Sequence, residues 1–219
     1  MDLVIYGAGG MAPQIAEAVL DTADDGADMA LIGFIDDDQR LHGTEILGFP
    51  VLGGSDWLES RAGVGVVLGV GHPLLRHRIS TTGTVQSRLV SIIHPDAWVS
   101  RHAVVGQGTV VMRQCIVSCR CQVGIASHLN YGVYMSHDAT VGSWACVMAH
   151  SALSGGVRVG DGAFIGVGVS TRQGVCVGEW SLVGAGAAVV RAIPSFCVAA
   201  GVPASPIRHY SSPQQMPPF

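Results

Sequence analysis

From Val99 to Val189 the chain repeats every six residues, a period that very few folds can use. Stepping by six from Val99 visits sixteen positions, of which fifteen are apolar and only Thr171 is not. Four residues after each of the first fifteen, from Ala103 to Ala187, the residue is always small or β-branched. Gly follows the apolar residue seven times, at Gly106, Gly124, Gly142, Gly160, Gly166, Gly178 and Gly184. Helices repeat near 3.6 residues and strands at 2, so neither explains this spacing. It fits a parallel β-helix in which each hexad supplies one short flat face and a corner, and three hexads close a triangular coil. The large aliphatic residues are expected to stack down the axis, the small ones to fit the corners, and the glycines to relieve the backbone where φ is positive. The register never breaks, so no long loop interrupts the coil.

Upstream of about His94 the pattern differs. "DLVIYGAGG" is an apolar strand running into a Gly-rich turn, "MAPQIAEAVLD" has helical spacing, and "ALIGFIDDD" and "VGVVLGV" read as further strands. "HPLLRHRIS" starts a helix that leads through "SRLVSIIHP" to the coil. The expected organisation is a Rossmann-like βαβ domain over residues 1–92, an all-β parallel helix over 93–193 and a tail over 194–219. The Pro-rich end, "SSPQQMPPF", suggests disorder.

A formal net charge of -4 gives no footprint for nucleic acid or an anionic membrane. Charged residues make up only 13% while hydrophobic ones reach 48%, so much of the chain must be buried or paired in an assembly, which suits an obligate oligomer. The N-terminus reads straight into a strand and no apolar run approaches the length of a membrane span, so a soluble cytoplasmic protein is expected. The six cysteines contain no CxxC pair and read as free thiols. Cys115 and Cys121 occupy the small-residue position of their hexads, where corner filling explains them without zinc, so no metal is expected.

Gly7, Gly9 and Gly10 lie between a strand and a helix, where backbone N–H groups can receive a phosphate; a tight connection would need glycine in any case. Asp36 and Asp37 fall where a nucleotide-binding fold carries its ribose contact, or they belong to a solvated turn with Asp38. His42, His72, His77, His102, His128 and His209 are expected to be exposed or locally satisfied, His94 to brace the start of the coil, and His150 to have a structural role. His137 and Asp138 are adjacent beside a corner of the Met135 hexad. They are either a solvated polar pair or an imidazole oriented by a carboxylate, as a general base near neutrality requires.

In order and spacing, "YGAGGMA", "IGFIDDD", "GFPVLGG", "LVSIIHPDAWVS", "LNYGVYMSHDATVG", "SALSGGVRVGDGAFIGVGV" and "VGAGAAVVRAIP" followed by "AGVPASPIR" resemble the sugar-nucleotide aminosugar N-acetyltransferases. That family of hexapeptide-repeat acyltransferases also includes sialic acid O-acetyltransferases. The resemblance implies a left-handed β-helix, against the usual crossover hand. It implies His137 as general base with Asp138 raising its basicity, Asn130 on the substrate side, and Gly9, Gly10, Asp36, Asp37 and Gly71 around a nucleotide-linked amino sugar. Acetyl-CoA would lie between subunits of a homotrimer, at positions corresponding to Cys146, Val167 and Ala185.

Three departures from the family stand out: Cys146 where some relatives have a second histidine, Val70-Gly71-His72-Pro73 where others read "IGDN" or "IGNN", and Met11 where a histidine often follows the turn. The reading is direct acetyl transfer to a sugar amine, 4-amino-4,6-dideoxyhexose in type. O-acetylation of a free sugar and a non-catalytic trimeric binding protein are the alternatives. An NAD-dependent oxidoreductase is disfavoured because the N-terminal half is too short for a full dinucleotide fold.

Overall fold

A computed structural model describes residues 1–217. The chain opens with strand β1 (Asp2–Tyr6), helix α1 (Ala12–Asp24) and strand β2 (Ala30–Ile35). A short hairpin, β3 (Glu45–Ile46) and β4 (Phe49–Pro50), and helix α2 (Ser55–Glu59) lead to β5 (Gly65–Leu68), then α3 (Pro73–Ser80) and α4 (Gly83–Gln86). The sheet is parallel with order β2-β1-β5. Alternation along β1 sends Leu3 and Ile5 against Ile15 and Val19 of α1 on one side, and Val4 and Tyr6 towards Leu58 and Val85 on the other. Both clusters run on into the coil, through Ile92, Val110 and Met112 on one side and Ala126 on the other, so the two parts share one continuous core.

From Ile92–Ile93 to Ala188–Val189 every strand is two residues long, and each pairs in parallel with the strand 18 residues away, as Ile116 does with Tyr134 (134 − 116 = 18). Three flat faces result. Face I carries strands beginning at Ile92, Val110, His128, Cys146, Phe164 and Leu182, face II those at Trp98, Ile116, Tyr134, Ala152, Ser170 and Ala188, and face III those at Val104, Gln122, Thr140, Arg158 and Cys176. The second residue of each strand points inward, and the stack from Val111 through Leu129, Met135 and Leu153 to Val189 is fully buried. Cys115 and Cys121 also sit inside, each thiol donating to a carbonyl of the next coil 3.0 Å away.

The glycines after the stacked residues do a different job from the expected one. At Gly106, Gly124, Gly142, Gly160, Gly166 and Gly178 φ is not in the left-handed region; a Cβ there would come within 2.6 Å of a backbone nitrogen one coil on. They are small because the coils touch. Positive φ falls instead three residues after each stacked residue, from Gly108 to Gly186, and Gln114, Arg120, Ala126, Asp138, Trp144, His150 and Trp180 adopt it as well.

The N-terminal domain covers face I. This overturns the expectation for His128, which is fully buried with neither ring nitrogen hydrogen-bonded, because its outward-facing strand position lies under the domain. Burial, with Arg76 adding to it, pushes the His128 pKa down to about 3. His94 does brace the start of the coil: its Nε2 lies 2.8 Å from Asp21 of α1 and its Nδ1 accepts from the Asp96 amide.

The C-terminal part is ordered as far as it is described, contrary to the disorder expected from its prolines. Cys197–Gly201 extends face I and pairs antiparallel with Ala204–His209. Pro213–Gln215 forms a short helical turn in which Gln215 accepts from the Ser211 amide, and Met216 is buried. Phe219 and Pro218 lie outside the described residues. Among the described residues no helix is long and apolar enough to cross a membrane.

Candidate active site

His137 and Asp138 occupy the corner between faces II and III. The Ala139 amide donates to the Ser136 carbonyl across it, and Asp138, the third residue of this turn, has φ +60°. That is a type II arrangement, which selects Gly, Asn or an aspartate at its third position. His137 Nδ1 lies 2.7 Å from Asp138 Oδ2. Donation from Nδ1 to the ionised carboxylate leaves the Nε2 lone pair to accept a proton.

Two neighbours missed from the sequence complete this corner. Arg120, one coil below Asp138 (120 + 18 = 138), donates from Nε to Oδ1 at 2.6 Å and from Nη2 to Oδ2 at 2.8 Å. The Arg120 fork, together with the His137 bond, holds the Asp138 carboxyl below the usual carboxylate range. Gly155, one coil above His137 (137 + 18 = 155), gives the ring its space: a Cβ there would lie 2.7 Å from Cε1 and Nε2. A period of 18 applied to His137 and Asp138 finds both residues.

The Gly-rich turn opens a second region. Gly9, Gly10, Asp36 and Gly71, with Met11 and His72, line a cavity of about 430 Å³. Gly7 is demanded by the fold, with φ +109° and Val70 against it. At Gly9 and Gly10 φ is unexceptional and an added Cβ would meet nothing within 4 Å, so no contact within the chain requires glycine at either position. Met11 caps α1 without a side-chain hydrogen bond; the Ala12 amide donates to the Gly9 carbonyl and Pro13 has no N–H, so within the first turn the Gln14 amide is the one open to an anionic group.

Asp36 braces this turn, its Oδ2 accepting from the Ala8 amide at 2.8 Å. Asp37 points the other way. It accepts from Tyr6 Oη at 2.8 Å and from the Ser55 amide at 3.0 Å, and lines a separate cavity with Arg78 and Thr82. Burial, with the Asp37 carboxylate adding to it, raises the Tyr6 phenol pKa. His72 Nδ1 accepts from the Leu74 amide at the start of α3. Met11 lies over Gly71, where a Cβ would be 2.9 Å from its Cε.

The remaining candidates lie on face I and at the corner between faces I and II. Asn130 is buried there, its Oδ1 accepting from the Tyr131 amide. Val167 is exposed and Ala185 lies one coil above it, tied by the Gly186 amide to the Val167 carbonyl. Cys146 is fully buried on face I and its thiol donates to Gly71 O at 3.1 Å, so it joins the coil to the loop after β5 rather than presenting a surface. Burial pushes its pKa up to about 11. In one chain Cys146 and His137 are on different sides of the prism. Next to Cys146, buried Arg76 reaches from α3 to the Ala126, Ser127 and Val70 carbonyls. Among the described residues no His, Cys, Asp and Glu cluster could hold a metal ion.

Comparison with known proteins places this geometry. Residues 2–82 match the family described as the PglD N-terminal domain. The structure of perosamine N-acetyltransferase PerB from Caulobacter crescentus, solved with CoA and GDP-perosamine, superimposes with a TM-score of 0.86 at 31% identity, covering 95% of this chain and 98% of that one. The acetyltransferase domain of PglB from Neisseria gonorrhoeae with acetyl coenzyme A gives 0.85 at 31% identity, over 94% of this chain and 98% of that one. WeeI from Acinetobacter baumannii shares the fold at 20% identity, with a TM-score of 0.83 over 94% of this chain and 100% of that one. No curated protein sequence matches the chain significantly. The coil is therefore the left-handed parallel β-helix, and the chain belongs to the hexapeptide-repeat family of sugar N-acetyltransferases, whose acyl donor is acetyl-CoA.

Proposed function

We propose that this protein is a trimeric enzyme that transfers acetyl from acetyl-CoA to the amine of a nucleotide-linked 4-amino-4,6-dideoxy sugar, with His137 as general base. One observation carries the reading: the candidate residues divide between the two corners that bound face II. His137 and Asp138 lie at the II/III corner, while Asn130, Val167 and Ala185 lie at the I/II corner, and the loop through Gly71, which lines a cavity with Gly9 and Gly10, is bonded to Cys146 on face I. Face II between them exposes Trp98, Ile116 and Tyr134 in one paired column. If three copies packed these apolar faces about a common axis, the II/III corner of each would meet the I/II corner of its neighbour. That arrangement brings the base, the donor positions and the nucleotide turn together, as a single chain does not.

In this reading the nucleotide's phosphates rest on the Gly9–Gly10 turn and the Gln14 amide of α1, with Asp36 fixing the turn. The sugar nitrogen attacks the thioester carbonyl carbon as His137 Nε2 takes its proton, with Asp138 holding the tautomer. Collapse of the tetrahedral intermediate breaks the C–S bond, and the imidazolium returns the proton to the departing CoA thiolate. The high pKa of buried Cys146 argues against an acyl-enzyme at that thiol. The relative from Caulobacter crescentus was solved with GDP-perosamine, which favours a nucleotide-linked amino sugar as acceptor.

Cys119, a free thiol whose carbonyl accepts from the Asp138 amide, is the cysteine beside this corner. Thiol release from acetyl-CoA tests the reading, using wild type, His137→Ala and, against an acyl-enzyme at that thiol, Cys119→Ser, with UDP-, dTDP- and GDP-linked 4-amino-6-deoxy sugars and free sialic acid. Turnover with one nucleotide sugar, lost in His137→Ala and kept in Cys119→Ser, is expected. Turnover with free sialic acid alone would reassign the protein as an O-acetyltransferase. No turnover with any acceptor would favour a binding protein.

A further inference from the structure

We infer that Arg120 is a positioning residue for the His137–Asp138 pair, holding the carboxylate so that one oxygen stays available to His137 Nδ1. The inference rests on the proposed role of His137 as base. Asp138 Oδ2 receives both His137 Nδ1 at 2.7 Å and Arg120 Nη2 at 2.8 Å, while Oδ1 receives Arg120 Nε at 2.6 Å. A carboxylate at an exposed corner bonded only to an imidazole can rotate about two torsions. A planar guanidinium fork gripping both oxygens removes that freedom, and a lysine's single ammonium would remove less of it.

The backbone prepares the grip. Arg120 and Asp138 both stand at the positive-φ position of their corners, with φ of 59° and 60°, so the aspartate lies one coil directly above the arginine. The Asp138 amide donates to the Cys119 carbonyl, which ties the two corners together. Because the β-helix coils are packed backbone to backbone, this spacing is rigid, and a side chain on one coil is a fixed support for the next.

Charge points the same way. His137 becomes imidazolium as it accepts the proton, and Asp138 stabilises that cation with a carboxylate that it shares with Arg120. The other titratable groups near this corner are Cys119 and Cys121 on the coil below, while the coil above contributes Gly155 and Gly156, which carry no charge. Arg120 is largely exposed, and surface ion pairs of this kind contribute little to folding, so a purely structural role would leave only a small trace.

The test compares Arg120→Met and Arg120→Lys with wild type, His137→Ala and Asp138→Asn in the full-length oligomer, using the acceptor that wild type turns over. For Arg120→Met a fall in kcat of about tenfold or more is expected, within the range general-base catalysis supplies. Both KM values should stay within about twofold, and the acid limb of the kcat/KM profile should move to higher pH as Asp138 acts on the imidazolium alone. Arg120→Lys should recover part of the loss. An unchanged kcat and pH profile in Arg120→Met, with His137→Ala inactive, would overturn the inference and leave the base assignment standing. A loss confined to KM for acetyl-CoA would also overturn it, making Arg120 a donor contact. Full turnover by His137→Ala would overturn both.

Discussion

Gly155 lies one coil above His137, and a Cβ placed on it would be 2.7 Å from both Cε1 and Nε2 of the imidazole. The glycine is therefore the floor against which the ring rests. Its φ is not in the left-handed region, so alanine is tolerated by the backbone, and the atoms it would displace are the far end of a side chain that can swing away. Gly155→Ala is expected to leave Tm within a few degrees of wild type while lowering kcat/KM by about tenfold or more, because the ring leaves the position in which Asp138 holds it. Thermal melting alongside steady-state kinetics checks both halves, and an unchanged kcat/KM would show that this ring position is not the reactive one.

Asp138→Asn isolates charge from shape. Asparagine tolerates the positive φ of this corner as well as aspartate does, so the variant should fold and melt much as wild type does. The amide cannot accept the His137 proton and the Arg120 fork as a carboxylate does, and the imidazole loses the partner that sets its tautomer. A drop in kcat of roughly 10²-fold is expected. Equal kcat for wild type and variant would remove Asp138 from the proposed mechanism.

The parts legible in the sequence were those fixed by local repetition. The inner residue of each hexad must be apolar whatever surrounds the coil, so the stack from Val99 to Val189 could be counted directly. The positive-φ position could not, because Asp138, Trp144, His150 and Trp180 occupy it beside the glycines. What decides those residues is the neighbour 18 positions away, such as Gly162 beside Trp180 and Gly132 beside His150. Asp36 and Asp37 looked equivalent, yet adjacent residues of an extended chain face opposite ways, and only Asp36 meets the Gly9–Gly10 turn. Burial of His128 was invisible because the cover comes from α3, about fifty residues earlier in the chain, in which Arg76 lies 51 residues before the Ser127 carbonyl it binds.

Arg76 pins the nucleotide-type domain to the coil. Its side chain is fully buried and, among the described residues, its hydrogen bonds go to carbonyls, those of Ala126 at 2.7 Å, Val70 at 2.7 Å and Ser127 at 3.1 Å being the nearest. Arg76→Met keeps the apolar stem and strands the Ala126 and Val70 carbonyls, at about 1–3 kcal/mol each where water cannot reach them, while the Ser127 carbonyl keeps the Val110 amide. A fall in Tm on the order of 10 °C is expected, by the scaling for a chain of this size. The loop through Val70 and Gly71 should loosen with it, so nucleotide-sugar affinity should fall more than acetyl-CoA affinity. Calorimetric titration of both ligands below the variant's Tm separates the two, and equal losses would mean that the effect is global.

The apolar column on face II predicts an assembly. Ile116 is 40% exposed in the single chain and stands between Trp98 and Tyr134 in register. A glutamate there costs the isolated chain little, because its side chain reaches solvent. Buried among three copies it would bring three like charges together without partners. Ile116→Glu is expected to elute as a monomer and to lose turnover although its His137 corner is untouched. Light scattering at several protein concentrations measures this, and a trimer that survived the substitution would place the subunit contact on another face.

His128 should make the fold acid-sensitive, and the sign follows from its burial. Fully buried, with Arg76 nearby and both ring nitrogens lacking a hydrogen bond, it has a folded pKa depressed to about 3 against an ordinary value of 6.5. Between these values the unfolded chain binds a proton that the folded chain refuses, so stability rises with pH across the window. The contribution is complete above about pH 6.5 and is lost as pH falls towards 3, at up to about 1.4 kcal/mol per pH unit. Other histidines and carboxylates titrate over the same range, so the useful quantity is a difference. His128→Leu fills much of the same volume between Val110 and Cys146 and has nothing to protonate. Melting both proteins at fixed concentration from pH 7.5 to 4.5 should show wild type losing Tm faster than the variant below pH 6.5, with parallel curves above it. Curves that stayed parallel throughout would mean that the folded protein also protonates His128, and that water or a structural shift reaches the ring.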